Sequence, residues 1–106
     1  MSFKHLDTDT LAQWLDHEKE VTLVDIRDPV SFADAHVVGA THLDNVSLTH
    51  FLESASKQQP LVVVCYHGHS SQGAAGWLVE QGFSDVYSLD GGFTAWQQHH
   101  PEWVGQ

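Results

Sequence analysis

The strongest constraint on the fold is an apolar run at residues 61–65 that ends on the only cysteine of the chain. A short polar loop follows at once, and the small residues at 73–76 predict the beginning of a helix. We therefore predict a buried strand that ends at Cys65, then a loop, then a helix. Backbone N–H groups of such a loop converge at the positive end of the helix dipole, where a negative charge is stabilised.

Cys65 has two interpretations at this point. A free cysteine is commonly a small buried hydrophobe, but at such a loop it can also be an easily ionised nucleophile. The predicted loop consists of Tyr66, His67, Gly68, His69, Ser70 and Ser71. It contains neither Lys nor Arg, so any thiolate there must be stabilised by backbone dipoles. Two charge-assisted N–H bonds, at about 1.5–3 kcal/mol each, are enough to lower a thiol pKa by about 2 units.

Charge and length limit the class of protein. Fourteen acidic residues against four basic ones give a formal net charge of −10, which repels nucleic acid and anionic membranes. The 106 residues suit a single domain. We predict a cytoplasmic protein, because the lone cysteine cannot form an internal disulfide and we find neither a signal-like N-terminus nor a membrane-length apolar run. No histidine spacing resembles a structural metal site, so we predict no metal and no cofactor.

The pattern of apolar residues alternates between strands and helices with short connections, which predicts an α/β domain with a largely parallel sheet. The predicted strands lie at 3–6, 21–26, 37–43, 61–65 and 86–89. Helix starts are predicted after Asp7 or Thr8, at Pro29, after Ser47, after the polar loop and after a turn at 90–92. Residues 99–106 are predicted to form a loose tail. In a parallel sheet, three turns should converge beyond the carboxyl ends of the strands, and these are 25–29, 65–71 and 89–92.

Three separate stretches of the chain resemble the rhodanese family. Residues 24–29, with those just after them, resemble its N-terminal signature, residues 65–71 are similar to its active-site loop, and residues 89–96 resemble its C-terminal signature. The resemblance implies a rhodanese-like fold, in which a central, mostly parallel five-stranded sheet is flanked by helices on both faces. It also implies that residues 1–106 form a single domain of this family.

The resemblance implies an activity as well. The Cys65 thiolate would take the outer sulfur of thiosulfate and hold it as a persulfide, in two displacement steps. Cyanide, a small thiol or a dithiol protein such as thioredoxin would then accept that sulfur. The N–H groups from Tyr66 through Ser71 would surround the persulfide anion, the hydroxyls of Ser70 and Ser71 could donate to it, and Gly68 would permit the tight turn.

One loop position departs from the family pattern. Many members carry Arg where this chain has Ser70, which predicts weaker capture of an anionic sulfur donor. His67 and His69 could partly replace that charge when protonated, but we interpret them as solvated loop residues.

Three charged residues near the predicted site have supporting roles in this interpretation. Arg27 lies between Asp25 and Asp28, which predicts an ion pair that holds the loop after the second strand rather than a contact with substrate. Asp90 precedes two glycines and a predicted helix, so we interpret it as a turn residue or a helix cap rather than as an acid catalyst.

Two other functions fit parts of the pattern. A sulfur-carrier or relay module that acts with a protein partner needs the same cysteine loop, so the sequence does not separate it from an enzyme. A cysteine-dependent phosphatase needs a longer loop that an Arg closes six positions after the cysteine. Ser71 occupies that position here, which argues against binding a phosphoryl group.

Overall fold

The structure is a computed structural model that describes residues 2–106. Its strands are β1 (Lys4–Leu6), β2 (Thr22–Asp25), β3 (His36–Val37), β4 (Thr41–His42), β5 (Leu61–Val64), β6 (Val86–Leu89) and β7 (Val104–Gly105). Its helices are α1 (Thr8–Asp16), α2 (Pro29–Asp34), α3 (Leu48–Ser54), α4 (Ser70–Glu80) and α5 (Gly92–His99), followed by a 3-10 turn at Pro101–Trp103. Within the described residues, no helix reaches the length and apolarity that crossing a bilayer requires.

Five of the strands form one parallel sheet in the order β1-β6-β5-β2-β4. This confirms the predicted parallel five-stranded sheet. β5 lies at its centre, and all four of its side chains are fully buried. A central parallel strand is covered on both faces, which explains why the apolar run is continuous instead of alternating with polar residues.

Alternate side chains of β5 enter two separate cores. Val62 and Val64 pack in the core beneath α1 and α5. Leu61 and Val63 point to the opposite face and pack in the core beneath α3 and α4. The predicted arrangement of helices on both faces of the sheet is therefore confirmed, and it follows from the two-residue period of a strand.

Side-chain chemistry explains where some helices start. Asp7 is the N-cap of α1, where its carboxylate accepts a hydrogen bond of 2.7 Å from the Thr10 amide, so the structure selects Asp7 over Thr8. Ser47 lies at the N-cap position of α3, as predicted, but its side chain makes no capping bond. The turn before α3 is instead held by Asp44, whose carboxylate accepts from the Ser47 amide at 3.0 Å.

The end of the chain packs on the rest of the domain, so the prediction of a loose tail is wrong. β7 pairs antiparallel with β3. The Trp103 carbonyl accepts hydrogen bonds from the Val38 amide at 2.9 Å and from the Trp96 indole N–H at 3.2 Å. The Trp96 side chain is fully buried, and a buried indole N–H needs such an acceptor. Composition could not predict this pairing, since both partners are distant in sequence.

Deletion of residues 101–106 tests the contribution of this tail. We expect the free energy of unfolding to fall by about 3 kcal/mol, because half-buried Trp103 and Val104 are lost and the buried Trp96 N–H loses its acceptor. Urea unfolding followed by far-ultraviolet circular dichroism measures the change. Deletion of the exposed Gln106 alone is the control and should leave the midpoint unchanged. Equal stability of the two truncated proteins would contradict the packing described above.

Candidate active site

The central strand places Cys65 at the carboxyl edge of the sheet. Cys65 lies two positions after Val63, so it is on the side of the sheet that faces α4. The residue is 2% exposed, and its thiol is free. Its Sγ accepts hydrogen bonds from the amides of Gly68 at 3.1 Å and Ser71 at 3.3 Å, and it lies 3.1 Å from Ser71 Oγ. The sulfur is thus buried among hydrogen-bond donors of its own loop.

These contacts shift the pKa of the Cys65 thiol. Burial raises the pKa of the Cys65 thiol, because it disfavours the charged form. Hydrogen bonds from the side chain and amide of Ser71, from the Ser70 hydroxyl and from the Gly68 amide favour the thiolate and more than offset burial. The pKa of Cys65 is consequently lower than that of an ordinary thiol. None of the described Lys or Arg side chains hydrogen-bonds the sulfur.

Two of the loop amides, those of Gly68 and Ser71, contact Sγ. That the N–H groups from Tyr66 through Ser71 surround a persulfide stays a prediction. The other amides of the loop donate to no acceptor among residues 2–106, and they belong to Tyr66, His67, His69 and Ser70. They remain available as donors to a second acceptor.

The start of α5 holds this loop from outside. The amides of Phe93 and Thr94 donate to the carbonyls of Cys65 at 2.7 Å and of Tyr66 at 3.0 Å. In a trans peptide the C=O and N–H groups point in opposite directions, so the N–H groups of Tyr66 and His67 point away from α5. Sequence reasoning treated this turn only as a turn and missed its role.

A glycine makes that close approach possible. Gly92 has φ +60°, and a Cβ there would lie 2.5 Å from backbone atoms of Cys65 and Tyr66. Any larger residue would push α5 away from the active-site loop. The pair of glycines before a predicted helix was the signal in the sequence that could have revealed this contact.

Gly68 is required at its position for two reasons. It has φ +87°, a conformation that L side chains rarely adopt. A Cβ on it would also lie 2.8 Å from the Gly91 amide nitrogen and 3.2 Å from the Leu89 carbonyl oxygen. The sequence predicted a tight turn here, and the structure adds the close approach of the turn between β6 and α5.

Ser71 connects the sulfur to a second buried hydroxyl that sequence reasoning missed. Ser71 and Ser88 are both fully buried, and their Oγ atoms lie 2.7 Å apart. Ser88 shares a face of β6 with Val86, which packs beneath α4. A polar residue on the apolar face of a central strand was the available signal.

Asp25 and Arg27 form a buried ion pair of 2.8 Å beside the site. The Arg27 guanidinium also donates to the Ala35 carbonyl at 2.6 Å, and its central carbon lies 4.1 Å from the centre of the Phe93 ring. Arg27 therefore joins the end of β2 to the end of α2 and to α5. Neither charged group hydrogen-bonds Cys65.

Tyr66 attaches the loop to the start of α2. Its hydroxyl hydrogen-bonds the Asp28 carboxylate and lies 2.8 Å from Ser31 Oγ. Asp28 also caps α2 by accepting from the Ser31 amide at 2.8 Å. The hydrogen bond from Tyr66, and then those from Ser31, hold the pKa of the Asp28 carboxyl well below its usual range. The Tyr66 side chain thus fixes the position of the loop and does not contact Sγ.

The remaining residues predicted for the site lie on its surface. His67 and His69 are exposed and form no hydrogen bond through their side chains within the described part of the chain. Asp90 is an exposed turn residue whose carboxylate lies 2.7 Å from His5 Nδ1. It does not cap α5, since the N-cap position belongs to Gly91. Among residues 2–106, no three His, Cys, Asp or Glu side chains meet in a way that could hold a metal ion.

Comparison with known proteins agrees with this fold. The model of the rhodanese-like domain matches residues 7–99, so the chain belongs to the rhodanese-like family. It is 50% identical to the thiosulfate sulfurtransferase GlpE of Pseudoalteromonas translucida, over 98% of each chain. It is 57% identical to the protein of the same name from Shewanella oneidensis, over 92% of this chain and 95% of the relative. The rhodanese-like domain of an Anabaena protein superposes with a TM-score of 0.81 at 26% identity, over 91% of this chain and 74% of the other.

The lowered pKa of Cys65 can be measured directly. The thiolate absorbs in the ultraviolet, so the difference in absorbance between the wild type and Cys65→Ser follows its ionisation with pH. We expect one transition with a midpoint below about 8.5, the value of an unperturbed thiol, because hydrogen bonds favour the anion more than burial disfavours it. A midpoint at or above that value would show that burial outweighs the hydrogen bonds.

Two glycine substitutions test the geometry of the loop. Gly68→Ala should destabilise the fold by about 2 kcal/mol and raise the pKa of Cys65, because the loop must move away from the turn at Gly91. Gly73→Ala is the control, since a Cβ there meets nothing within 4 Å and the residue lies in α4. It should stabilise the protein by about 0.5–1 kcal/mol. Similar effects of the two substitutions on unfolding and on the Cys65 titration would contradict this geometry.

Proposed function

We propose that this protein is a thiosulfate sulfurtransferase that works through a persulfide on Cys65. The observation that carries the proposal is the buried sulfur, held by the amides of Gly68 and Ser71 without a basic side chain. The names of the relatives from Pseudoalteromonas translucida and Shewanella oneidensis support the choice of thiosulfate as donor.

In the first step, the Cys65 thiolate attacks the outer sulfur of thiosulfate. A new S–S bond forms to Cys65, the S–S bond of thiosulfate breaks, and its electron pair leaves with sulfite. One negative charge stays on the outer sulfur of the persulfide, and the two charges of thiosulfate leave on sulfite. The reacting form is the thiolate, which the lowered pKa of Cys65 favours, so this step needs no separate general base.

The loop then has two sulfur atoms to stabilise. The amides of Gly68 and Ser71 remain on Sγ. The outer sulfur carries the negative charge, and the donors left for it are the amides of the same loop that have no protein acceptor. Such a set of fixed dipoles costs little reorganisation during the reaction, which is the basis of electrostatic stabilisation.

In the second step, an acceptor removes the outer sulfur and restores the thiolate. Cyanide attacks that sulfur, the persulfide S–S bond breaks, and thiocyanate leaves. A small thiolate reacts in the same way and becomes a persulfide itself, and a dithiol protein such as thioredoxin is a third class of acceptor. Because donor and acceptor react in separate displacements, the kinetics should be ping-pong.

The charge of the protein affects how tightly it holds thiosulfate. The formal net charge of −10 repels the dianion, and Ser70 supplies a neutral donor where many family members have Arg. Capture therefore depends on short-range dipoles, and a high Michaelis constant for thiosulfate is the expected consequence.

Replacement of the nucleophile tests this function. The wild type should produce thiocyanate from thiosulfate and cyanide, and Cys65→Ser should lose at least about 1000-fold of the rate, as loss of a covalent nucleophile does. The intact mass of the wild type should rise by one sulfur atom after thiosulfate treatment, and cyanide should remove it. Ser70→Ala is the control that keeps the thiol, and it should still acquire the added mass.

Two results would contradict the proposal. An unchanged mass in a protein that still turns over thiosulfate would exclude the covalent route. Release of phosphate from an aryl phosphate by the wild type, but not by Cys65→Ser, would favour the phosphatase alternative.

A further inference from the structure

Ser88 is a buried polar residue that the proposed reaction does not yet use. Its side chain is fully buried in the middle of β6, where β1 and β5 pair with it on either side. Its hydroxyl has one hydrogen-bond partner within the described residues, Ser71 Oγ at 2.7 Å. Ser71 Oγ in turn lies 3.1 Å from Cys65 Sγ. The three side chains form a chain of hydrogen bonds that ends at Ser88.

The single partner of Ser88 determines the direction of these bonds. If Ser71 donated to Ser88, the Ser88 proton would have no acceptor, and an unsatisfied buried donor is costly. If Ser88 donates to Ser71, both hydroxyl protons are satisfied, because the Ser71 proton then points to the sulfur. The second arrangement suits an anionic sulfur, which accepts hydrogen bonds and has none to donate.

We propose that Ser88 is a positioning residue whose hydroxyl donates to Ser71 Oγ and thereby directs the Ser71 proton onto the negatively charged sulfur of Cys65. Ser88 stabilises the negative charge on the sulfur in two ways. Donation from Ser88 polarises the Ser71 hydroxyl and strengthens it as a donor. It also keeps the Ser71 proton on the side of the sulfur, because that proton is not used in the bond to Ser88. A proton placed there favours the thiolate, which accepts hydrogen bonds, over the neutral thiol, which has its own S–H to donate.

The other ionisable groups near Cys65 do not supply the hydrogen bond that Ser71 donates to the sulfur. The loop carries the exposed His67 and His69. The end of β2 and the turn after it contribute Asp25 and Arg27, which neutralise each other. The turn before α5 contributes Asp90, which pairs with His5. On α4 the only ionisable side chain is Glu80, at the end far from the loop. On α5 it is His99, again at the distant end. None of these groups hydrogen-bonds Sγ, so the Ser71 hydroxyl contacts the sulfur directly and Ser88 acts on it through Ser71.

The test is a double-mutant cycle on the ionisation of Cys65, read from thiolate absorbance against pH. Ser71→Ala should raise the midpoint by about 1 pH unit, and Ser88→Ala by about 0.5 unit. In the Ser71→Ala background, Ser88→Ala should add no shift, because its effect passes through the Ser71 hydroxyl. Thr8→Val is the matched control, since it removes another buried hydroxyl, which contacts His99 and not the sulfur.

Several outcomes would overturn this role. An unchanged midpoint in Ser88→Ala would exclude it, and so would a shift of the same size in the presence and absence of the Ser71 hydroxyl. A shift in Thr8→Val of equal size would mean that general loss of stability moves the midpoint. Thermal unfolding of each variant shows whether stability and midpoint change together.

The catalytic consequence of Ser88 rests on the proposed sulfur transfer. Below the midpoint, kcat/KM for thiosulfate should fall about 3-fold in Ser88→Ala, and its pH profile should move upward by the same 0.5 unit, which corresponds to that factor. The two proposals fail separately. A shifted Cys65 titration in a protein without sulfur transfer would contradict the proposed function alone, whereas an unshifted titration in an active enzyme would contradict the role of Ser88 alone.

Discussion

The structure depends on the hydrogen bonds that the amides of Gly68 and Ser71 donate to the buried sulfur of Cys65. A thiolate that is 2% exposed loses almost all of its hydration, which favours the neutral thiol. A neighbouring Lys or Arg would be the simplest way to stabilise the thiolate, but none in the described residues hydrogen-bonds this sulfur. Backbone amides and the Ser71 hydroxyl replace it, and together they keep the pKa of Cys65 below its ordinary value. Because amides do not titrate, this stabilisation persists over the whole pH range in which the protein is folded.

Dipoles act only over short distances, so they must be held rigidly. Three contacts do this from different sides of the loop. The first amides of α5 donate hydrogen bonds to the outward carbonyls of Cys65 and Tyr66. The Tyr66 hydroxyl forms a hydrogen bond with Ser31 at the start of α2. From the side of the sheet, Ser88 on β6 hydrogen-bonds the hydroxyl of Ser71. The buried ion pair of Asp25 with Arg27 lies behind these contacts and joins β2 to the helices that make them.

Much of the fold and part of the site could be predicted from local sequence patterns. The parallel five-stranded sheet, the helices on both faces and the start of α1 at Asp7 or Thr8 depend on periodicity and on capping chemistry within a few residues. Two outcomes depend on contacts that the local patterns do not specify. Ser47 has the chemistry of a cap, but Asp44 already holds that turn. The tail is polar in composition, but its backbone pairs with β3 and its Trp103 carbonyl satisfies Trp96.

The sequence by itself determined that a lone cysteine ends the central strand, before a loop that offers amides, hydroxyls and imidazoles as donors but no Lys or Arg. It did so because an uninterrupted apolar run belongs to a strand covered on both faces, and because the loop contains no Lys or Arg. Only the tertiary structure decided which amides reach the sulfur, and that Ser88 and the start of α5 support them. The supporting contacts join residues that are 17 positions apart, for Ser71 and Ser88, and 28 apart, for Cys65 and Phe93. All of these contacts require distances near 3 Å that no local pattern specifies.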